Sequence, residues 1–350
     1  MGFGRFLVFR SVNTLVVLFF TLLVTVLILG PSIDTIVVRG VEQEVRGEIV
    51  QNRALVSGFN DPRDLQAFID GQVQVRLSSL GLNDPFFSPV RIANLMFKIM
   101  TLDFGQSFYL RSYEGSSNVK VIILEALPRT ILLFSTATII TAFLGISIGA
   151  MVAKKAGSLF DRLISTFAVV SFSFPLWWVG MLMILAFAYT FPIFPARATP
   201  LIPPSDPGYI LSLLYHMTLP LITIVLISFG GWAYVVRNLM IGTLQEDYIT
   251  VARAKGVPES KVLYGHALRS AAPPIITIIA LSLSGSLGGA IITEAVFDWP
   301  GIGRLYFAAI SVLDLPVIVG LTYILTLVFL LSIFIADILY AYFDPRVKVG

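Results

Sequence analysis

Six stretches of this chain carry no Asp, Glu, Lys or Arg: Ser11–Ile33, Thr130–Ala153, Leu163–Ala196, Pro207–Val236, Ser270–Thr293 and Leu315–Ala336. Each is long enough for the ~20 mostly apolar residues with which a helix crosses a bilayer. Lipid offers the backbone no hydrogen-bond partners, so runs of this length and apolarity predict transmembrane helices. The material between the first two runs is different. Asp34 to Ala126 holds 20 charged residues out of the chain's 24 basic and 21 acidic ones. Helical patterning over Val41–Leu55 and Asp64–Leu80 is punctuated by Gly58, Asp61-Pro62, Gly71, Gly81 and Asp84-Pro85. A structureless loop of that length would be unusual, so the segment predicts a small, mostly helical domain. The fold class is an all-α membrane protein of six transmembrane helices with that domain after the first span. Its parts are an anchor helix (1–33), the helical domain (34–126), a five-helix transmembrane domain (127–343) and a tail (344–350).

Gly30-Pro31-Ser32 reads as the stop of the first helix. That helix begins with basic residues, as a signal peptide does, but no small-residue cleavage site follows, so it is expected to be a retained anchor. Phe191–Pro207 is too rich in proline to be helical and predicts an irregular loop. Trp177, Trp178, Trp232 and Trp299 fall near span ends or turns, where indoles serve as interfacial anchors or as packing groups.

Composition agrees with the pattern: 56% of residues are hydrophobic and 13% charged, against roughly 25% charged in soluble domains. The distribution of Lys and Arg sets an orientation. Arg5, Arg10, Lys154, Lys155, Arg162, Arg237, Arg253, Lys255, Lys261, Arg269, Arg346 and Lys348 fall on one side of the predicted spans. The short loops on the other side carry only Arg197 and Arg304. By the positive-inside rule both termini are cytoplasmic and 34–126 lies outside the cell membrane. The basic excess then reflects topology, with no nucleic-acid partner implied. The chain has no cysteine, which excludes disulfides, thiolate metal sites and cysteine nucleophiles.

Catalytic motifs are missing. There is no GxxxxGK[ST] phosphate loop, no HExxH and no GxSxG, and neither His216 nor His266 has a partner at metal-ligand spacing. No catalytic or metal residue is assigned. Glu294 and Asp337 border the fifth and sixth spans, where a carboxylate reaches water, so they are not assigned to a proton relay.

The segment 244–272 carries too many charges to cross a membrane. Leu244, Tyr248, Val251 and Ala252 share one helical face, with Glu246, Asp247 and Arg253 placed away from it. Gly256 permits a left-handed turn, Pro258 suits the start of a new helix, and Val262, Leu263 and Ala267 give that helix an apolar side. Pro273-Pro274 is expected to break the chain where the fifth span begins. A helix–turn–helix held against a bundle can transmit a push from a docked partner; the alternative is an ordinary solvated loop with an amphipathic surface.

Ala252–Gly256 (ARAKG) and His266–Pro274 (HALRSAAPP) resemble the coupling loop of dipeptide/oligopeptide-type ABC importer permeases. Leu102–Phe108 (LDFGQSF), Leu127–Leu133 (LPRTILL), Phe172–Gly180 (FSFPLWWVG), Thr293–Leu305 (TEAVFDWPGIGRL) and Leu339–Lys348 (LYAYFDPRVK) are similar to that family's other motifs, in family order. Gly81–Pro85 (GLNDP) resembles its outer region. Where the general coupling pattern has a glutamate six residues before its glycine, this chain has Thr250; this class commonly lacks that glutamate.

The resemblance implies a type I ABC importer arrangement. This chain would be one permease subunit beside a second, similar permease, with two ATP-binding subunits below and an extracytoplasmic solute-binding protein above. No cofactor belongs to this chain; ATP and Mg would be bound by the ATPase subunits. The implied coupling residues are Asp247, Tyr248, Ala252, Arg253, Ala254, Lys255, Gly256, Pro258, His266, Leu268 and Arg269. Ser171, Ser173, Ser282, Ser284 and Ser286 are candidates to line the pathway, or are ordinary small-residue packing. The expected cargo is oligopeptide or dipeptide, with oligosaccharide as the alternative. A motor-independent secondary transporter is the rival of another class, and it would call for ionisable pairs mid-span or inverted repeats.

Overall fold

The structure is a computed structural model that describes residues 3–51, 59, 61–79, 82, 85–286 and 288–343. Among these, helix is the only regular structure apart from an isolated antiparallel bridge between Gln106 and Asn118. Five helical stretches are long and apolar enough to cross a membrane, and a bent pair supplies a sixth. The tail (344–350) lies outside the described residues.

Helix α1 (Phe3–Gln51) corrects the first expectation: it does not stop at Gly30-Pro31-Ser32 but continues for another five turns. Proline removes one helical donor without imposing a stop. Gly30 serves packing instead, because a Cβ there would overlap the ring of Phe86. Beyond the apolar stretch, Val41, Val45 and Ile49 form a stripe at helical spacing and bury against Ile69, Val73 and Leu77 of α2 (Pro62–Ser79). The two helices make an arm whose outer faces carry Arg76–Glu44 and Arg76–Glu48 ion pairs. Asn52–Leu55, the end of the expected Val41–Leu55 helix, and Leu80 lie outside the described residues. Residues 33/34 and 126/127 both fall inside continuous helices, so the expected boundaries are not breaks in the chain.

Helix α3 (Pro89–Met100) returns along α1, tied by the Arg91–Asp34 ion pair at 2.6 Å. Then α4 (Val119–Lys154) runs the depth of the bundle, capped by Asn118, whose side chain accepts from the Lys120 and Val121 N–H groups. The third apolar stretch is not straight. It forms α5 (Leu159–Ser173) and α6 (Leu176–Ile184, continued as a π-helical turn to Thr190), bent by 97°. Residues 191–208 are irregular, as their prolines predict.

Helix α7 (Tyr209–Leu244) packs along α4, where Gly145 and Gly149 let the backbones approach; a Cβ at Gly149 would lie 2.6 Å from the Ala233 carbonyl. After α8 (Asp247–Ala254) a π-helical segment, Lys261–Ala267, leads directly into α9 (Leu268–Ser286). Here Pro273 and Pro274 do not break the chain, contrary to expectation; both sit inside α9. Proline's φ fits a helix, and the missing N–H groups and the crowding of each ring against the carbonyl four residues back are accommodated here without a break. Two short helices, α10 (Ile291–Phe297) and α11 (Ile302–Ser311), fold back before α12 (Leu315–Phe343) closes the bundle. An Arg10–Asp337 ion pair ties α12 to α1.

Candidate functional site

The 244–272 segment folds as two short helices around one glycine. Gly256 has φ +76°, its N–H bonds to the Arg253 carbonyl, and the Val257 N–H bonds to the Ala252 carbonyl. That pair of bonds, with Val257 and Ala252 packed into one cluster, is a Schellman stop. Pro258 then opens the next helix, its carbonyl accepting from the Lys261 and Val262 N–H groups. Arg253 pairs with Glu259 across the turn at 2.9 Å. The guanidinium's hydrogen bond holds the Glu259 carboxyl below its ordinary range.

The element is mounted rigidly. Ile249, Val262, Leu263 and Ala267 are buried against Ala150, Val236 and Met240, so it is seated on both α4 and α7. This corrects the expected face. Leu244 and Ala252 pack inward beside Ile249, whereas Tyr248 and Val251 stand 45% and 51% exposed. The reason is the 3.6-residue period: Ile249 sits on the inner side, and its two neighbours in that turn cannot share it. Asp247, Ala254, Lys255 and Arg269 are exposed, His266 is half-buried, and Leu268 packs into the same cluster. Tyr264, which the pattern did not single out, is also exposed.

Beside this element the floor of the bundle is fixed by charge. Arg237 of α7 grips Asp161 at the start of α5 with two nitrogens, and Asp161 also accepts from the Gly157 N–H at 2.7 Å and from Ser165. Arg237 enters the sequence pattern only as one of the basic residues that set orientation, and Asp161 not at all.

The opposite end is built on buried carboxylates. Glu294, expected at a span end in reach of water, is instead fully buried. It accepts from the Thr130 hydroxyl and from the Gly303 and Arg304 N–H groups. Gly289, Gly301 and Gly303 surround it so closely that a Cβ on any of them would meet the carboxyl group. Asp314, also fully buried, accepts from the Ser107 hydroxyl at 2.6 Å and from the Tyr109 and Leu110 N–H groups. Asp298, in the left-handed region at φ 56°, pairs with both Arg197 and Arg304. Trp299 is fully buried, its indole N–H donating to the Arg129 carbonyl. A cleft of about 350 Å³ opens nearby, lined by Arg111, Arg129, Arg304, Tyr113 and Glu125 among others.

The candidate pathway serines are scattered in environment. Ser171 and Ser286 are buried, their hydroxyls closed on the Ala168 and Leu283 carbonyls, and so present nothing to a pathway in this conformation. Ser282 is half-buried, Ser173 is exposed at the α5–α6 bend, and Ser284 lies outside the described side chains. Among the described residues no group of three or more His, Cys, Asp or Glu is placed to hold a metal.

Residues 145–349 match the model of the family described as binding-protein-dependent transport system inner membrane component. The chain belongs to that family. The oligopeptide transport system permease protein AppB of Bacillus subtilis is 31% identical over 272 residues, covering 78% of this chain and 84% of its own length. The di/tripeptide transport system permease protein DppB of Pseudomonas aeruginosa is 32% identical over 298 residues, covering 80% and 86%. The dipeptide transport system permease protein DppB of Alkalihalophilus pseudofirmus is 34% identical over 288 residues, covering 77% and 84%. This permease is thus a multi-pass inner membrane protein and a transport subunit, not an enzyme. The helix–turn–helix lies within the matched range, as do Glu294 and its glycines; the Thr130 donor lies before it.

Proposed function

We propose that this permease forms half of the translocation pathway of an ATP-driven importer of oligopeptides or dipeptides, and that the 244–272 segment is its coupling element. The observation that carries the reading is mechanical. Tyr248, Val251 and Tyr264 are exposed on a helix pair whose other side is buried in the bundle, so force applied there moves α4, α7 and α9 together. Exposed apolar side chains on a rigid mount outside the spans want a partner surface. Asp247, Arg253, Lys255 and Arg269 ring them with charge that sets the docking orientation. Ala254 keeps the contact close, Gly256 and Pro258 fix the turn, and His266 and Leu268 seat the second helix. The peptide cargo follows from what the relatives' names say they transport.

The partners are a second permease, two ATP-binding subunits that carry ATP and Mg, and a solute-binding protein that meets the face holding the arm and the arginine-lined cleft. Both termini and the coupling element are cytoplasmic, and 34–126 is extracytoplasmic, with its ends running into α1 and α4. The twelve-to-two split of flanking Lys and Arg supports this orientation.

The test is reconstitution. Proteoliposomes holding this chain alone are expected neither to hydrolyse ATP nor to accumulate labelled di- or tripeptide. Uptake is expected only with all partners present. Accumulation by the chain alone under an ion gradient would sink the proposal. Orientation is read separately by single cysteines: Ser260→Cys labels from the cytoplasmic side and Gln74→Cys from outside.

A further inference from the structure

The 97° bend in the third apolar stretch has a local cause. Pro175 lacks an N–H and disfavours helical conformation in the residue before it, and Phe174 sits at φ −102°, ψ 133°. The break strands backbone groups. The Phe174 N–H reaches only the Ser171 carbonyl, at 3.4 Å, while the Trp178 and Val179 N–H groups both go to Pro175. Among the described residues no donor meets the carbonyl oxygens of Phe172, Ser173 or Phe174, and no acceptor meets the N–H of Leu176 or Trp177.

The bend lies at membrane depth. The Phe172 ring rests against Gly231 and the Phe167 ring against Gly230, both inside the charge-free stretch of α7. At 1.5 Å per residue Gly231 is roughly 9 Å along its helix from Arg237, the charge at the floor of the bundle, and so inside a hydrocarbon layer of about 30 Å. Phe172, Ser173, Phe174 and Pro175 are all exposed. Unpaired backbone cannot face lipid at that depth; it is tolerated only against protein or in a water-filled cavity.

We propose that the Phe172–Trp178 elbow lines the aqueous pathway and is a cargo-binding site. There the carbonyls of Phe172, Ser173 and Phe174 accept hydrogen bonds from the N–H groups of a peptide. The Phe174 and Trp178 rings, stacked with centroids 5.2 Å apart, form its apolar wall. Carbonyl acceptors read a peptide's main chain and not its side chains, which suits a conduit for cargo of varied sequence. This rests on the peptide reading above.

The chain's lack of cysteine makes the test direct. Ser173→Cys is compared with Leu15→Cys, an exposed apolar position on α1, in the complete transporter in proteoliposomes turning over ATP. The probe is a membrane-impermeant cationic methanethiosulfonate. Modification at 173 is expected to be at least about tenfold faster than at 15, because only the former meets water. Peptide-loaded binding protein should slow it several-fold. Phe174→Cys gives the same readout should Ser173→Cys fail to assemble. Equal rates at 173 and 15 would mean that the elbow is sealed against the second permease, overturning the pathway placement. Fast modification indifferent to peptide overturns the cargo contact. Water access at 173 does not depend on the cargo's identity. A complex that is modified fast but takes up no peptide therefore refutes the peptide reading and leaves the aqueous elbow standing.

Discussion

At one end of this permease, Tyr248, Val251 and Tyr264 stand exposed on a helix pair stopped by a single left-handed glycine. At the other, Glu294 and Asp314 are fully buried, Glu294 gathering donors from α4 and α11 and Asp314 from the 107–110 loop. The first end keeps its polar groups in water and its apolar groups outward, ready for a second surface. The second uses buried carboxylates to staple α4, α10 and α11, and the 107–110 loop to the start of α12, so that nothing there slides. A device that transmits force needs both: a handle that a partner can grip and an anchor that does not yield. The comparison is useful because the two ends should fail differently. Damage to the anchor should lower stability, and damage to the handle should uncouple transport from a well-folded protein.

The largest expected effect is at the anchor. Glu294→Ala leaves the Thr130 hydroxyl and the Gly303 and Arg304 N–H groups without their acceptor in a site with no solvent. Each buried donor left unpaired costs about 1–3 kcal/mol, so losing the acceptor of all three costs on the order of 3–5 kcal/mol. At 2–4 °C per kcal/mol for a large domain, the melting temperature in detergent should fall by roughly 10 °C. Gly301→Ala should act in the same direction, since its Cβ would overlap the Glu294 carboxyl and the Thr130 hydroxyl. A Glu294→Ala protein melting within about 2 °C of wild type would remove the distinction between the two ends.

How much of this was legible in the sequence follows from the same contrast. The apolar stretches, the arm helices, the Gly256 turn and the buried side of Val262, Leu263 and Ala267 are local patterns, and periodicity reads them directly. Glu294 is not legible in this way: its position near a span end points to water, while its burial depends on α10 and α11 folding back over Thr130. The available signal was the spacing of Gly301 and Gly303 beside it, which left room for a carboxylate. Pro31, Pro175 and Pro273-Pro274 show the limit of local rules: the first and last sit within continuous helices, and only Pro175 bends the chain. The Asp161–Arg237 grip joins residues 76 apart in sequence and has no local signature.

Gly256 tests the handle, with a smaller effect on stability and a larger one on transport. A side chain there would meet nothing within 4 Å, so any penalty comes from φ +76° alone. A β-branched residue in the left-handed region costs about 1–2 kcal/mol. Gly256→Val should therefore insert and melt within a few degrees of wild type, yet lose most peptide uptake and most stimulated ATP hydrolysis in the reconstituted complex. Gly256→Asn, which tolerates that backbone region, should retain much of both. Equal loss in the two variants would point to the glycine's size and not its backbone. Full activity in Gly256→Val would detach the turn from coupling.

The smallest effect should come from the Arg253–Glu259 pair that spans the turn. Its side chains are 43% and 38% exposed, so solvent and salt screen it, and about 0.5 kcal/mol is the most to expect. The direction with pH is fixed nonetheless. The arginine's hydrogen bond lowers the folded-state pKa of Glu259 below its ordinary value, so the folded protein holds the carboxylate more readily than the unfolded chain. The pair's contribution is then complete above the ordinary carboxylate value of 4.5 and fades as pH falls through the depressed one. A double-mutant cycle of Arg253→Ala and Glu259→Ala, read as melting temperature in detergent, should give a coupling of a few tenths of a kcal/mol at pH 7.5. That coupling should shrink at high salt and with acid, once the carboxyl takes up its proton. Uptake in either single variant should fall less than about twofold, because the Schellman stop and the buried Val262–Leu263 side hold the turn without the ion pair. A coupling that survives acid and salt would mean the pair is shielded, as the Glu294 cage is, and that the handle is partly built like the anchor.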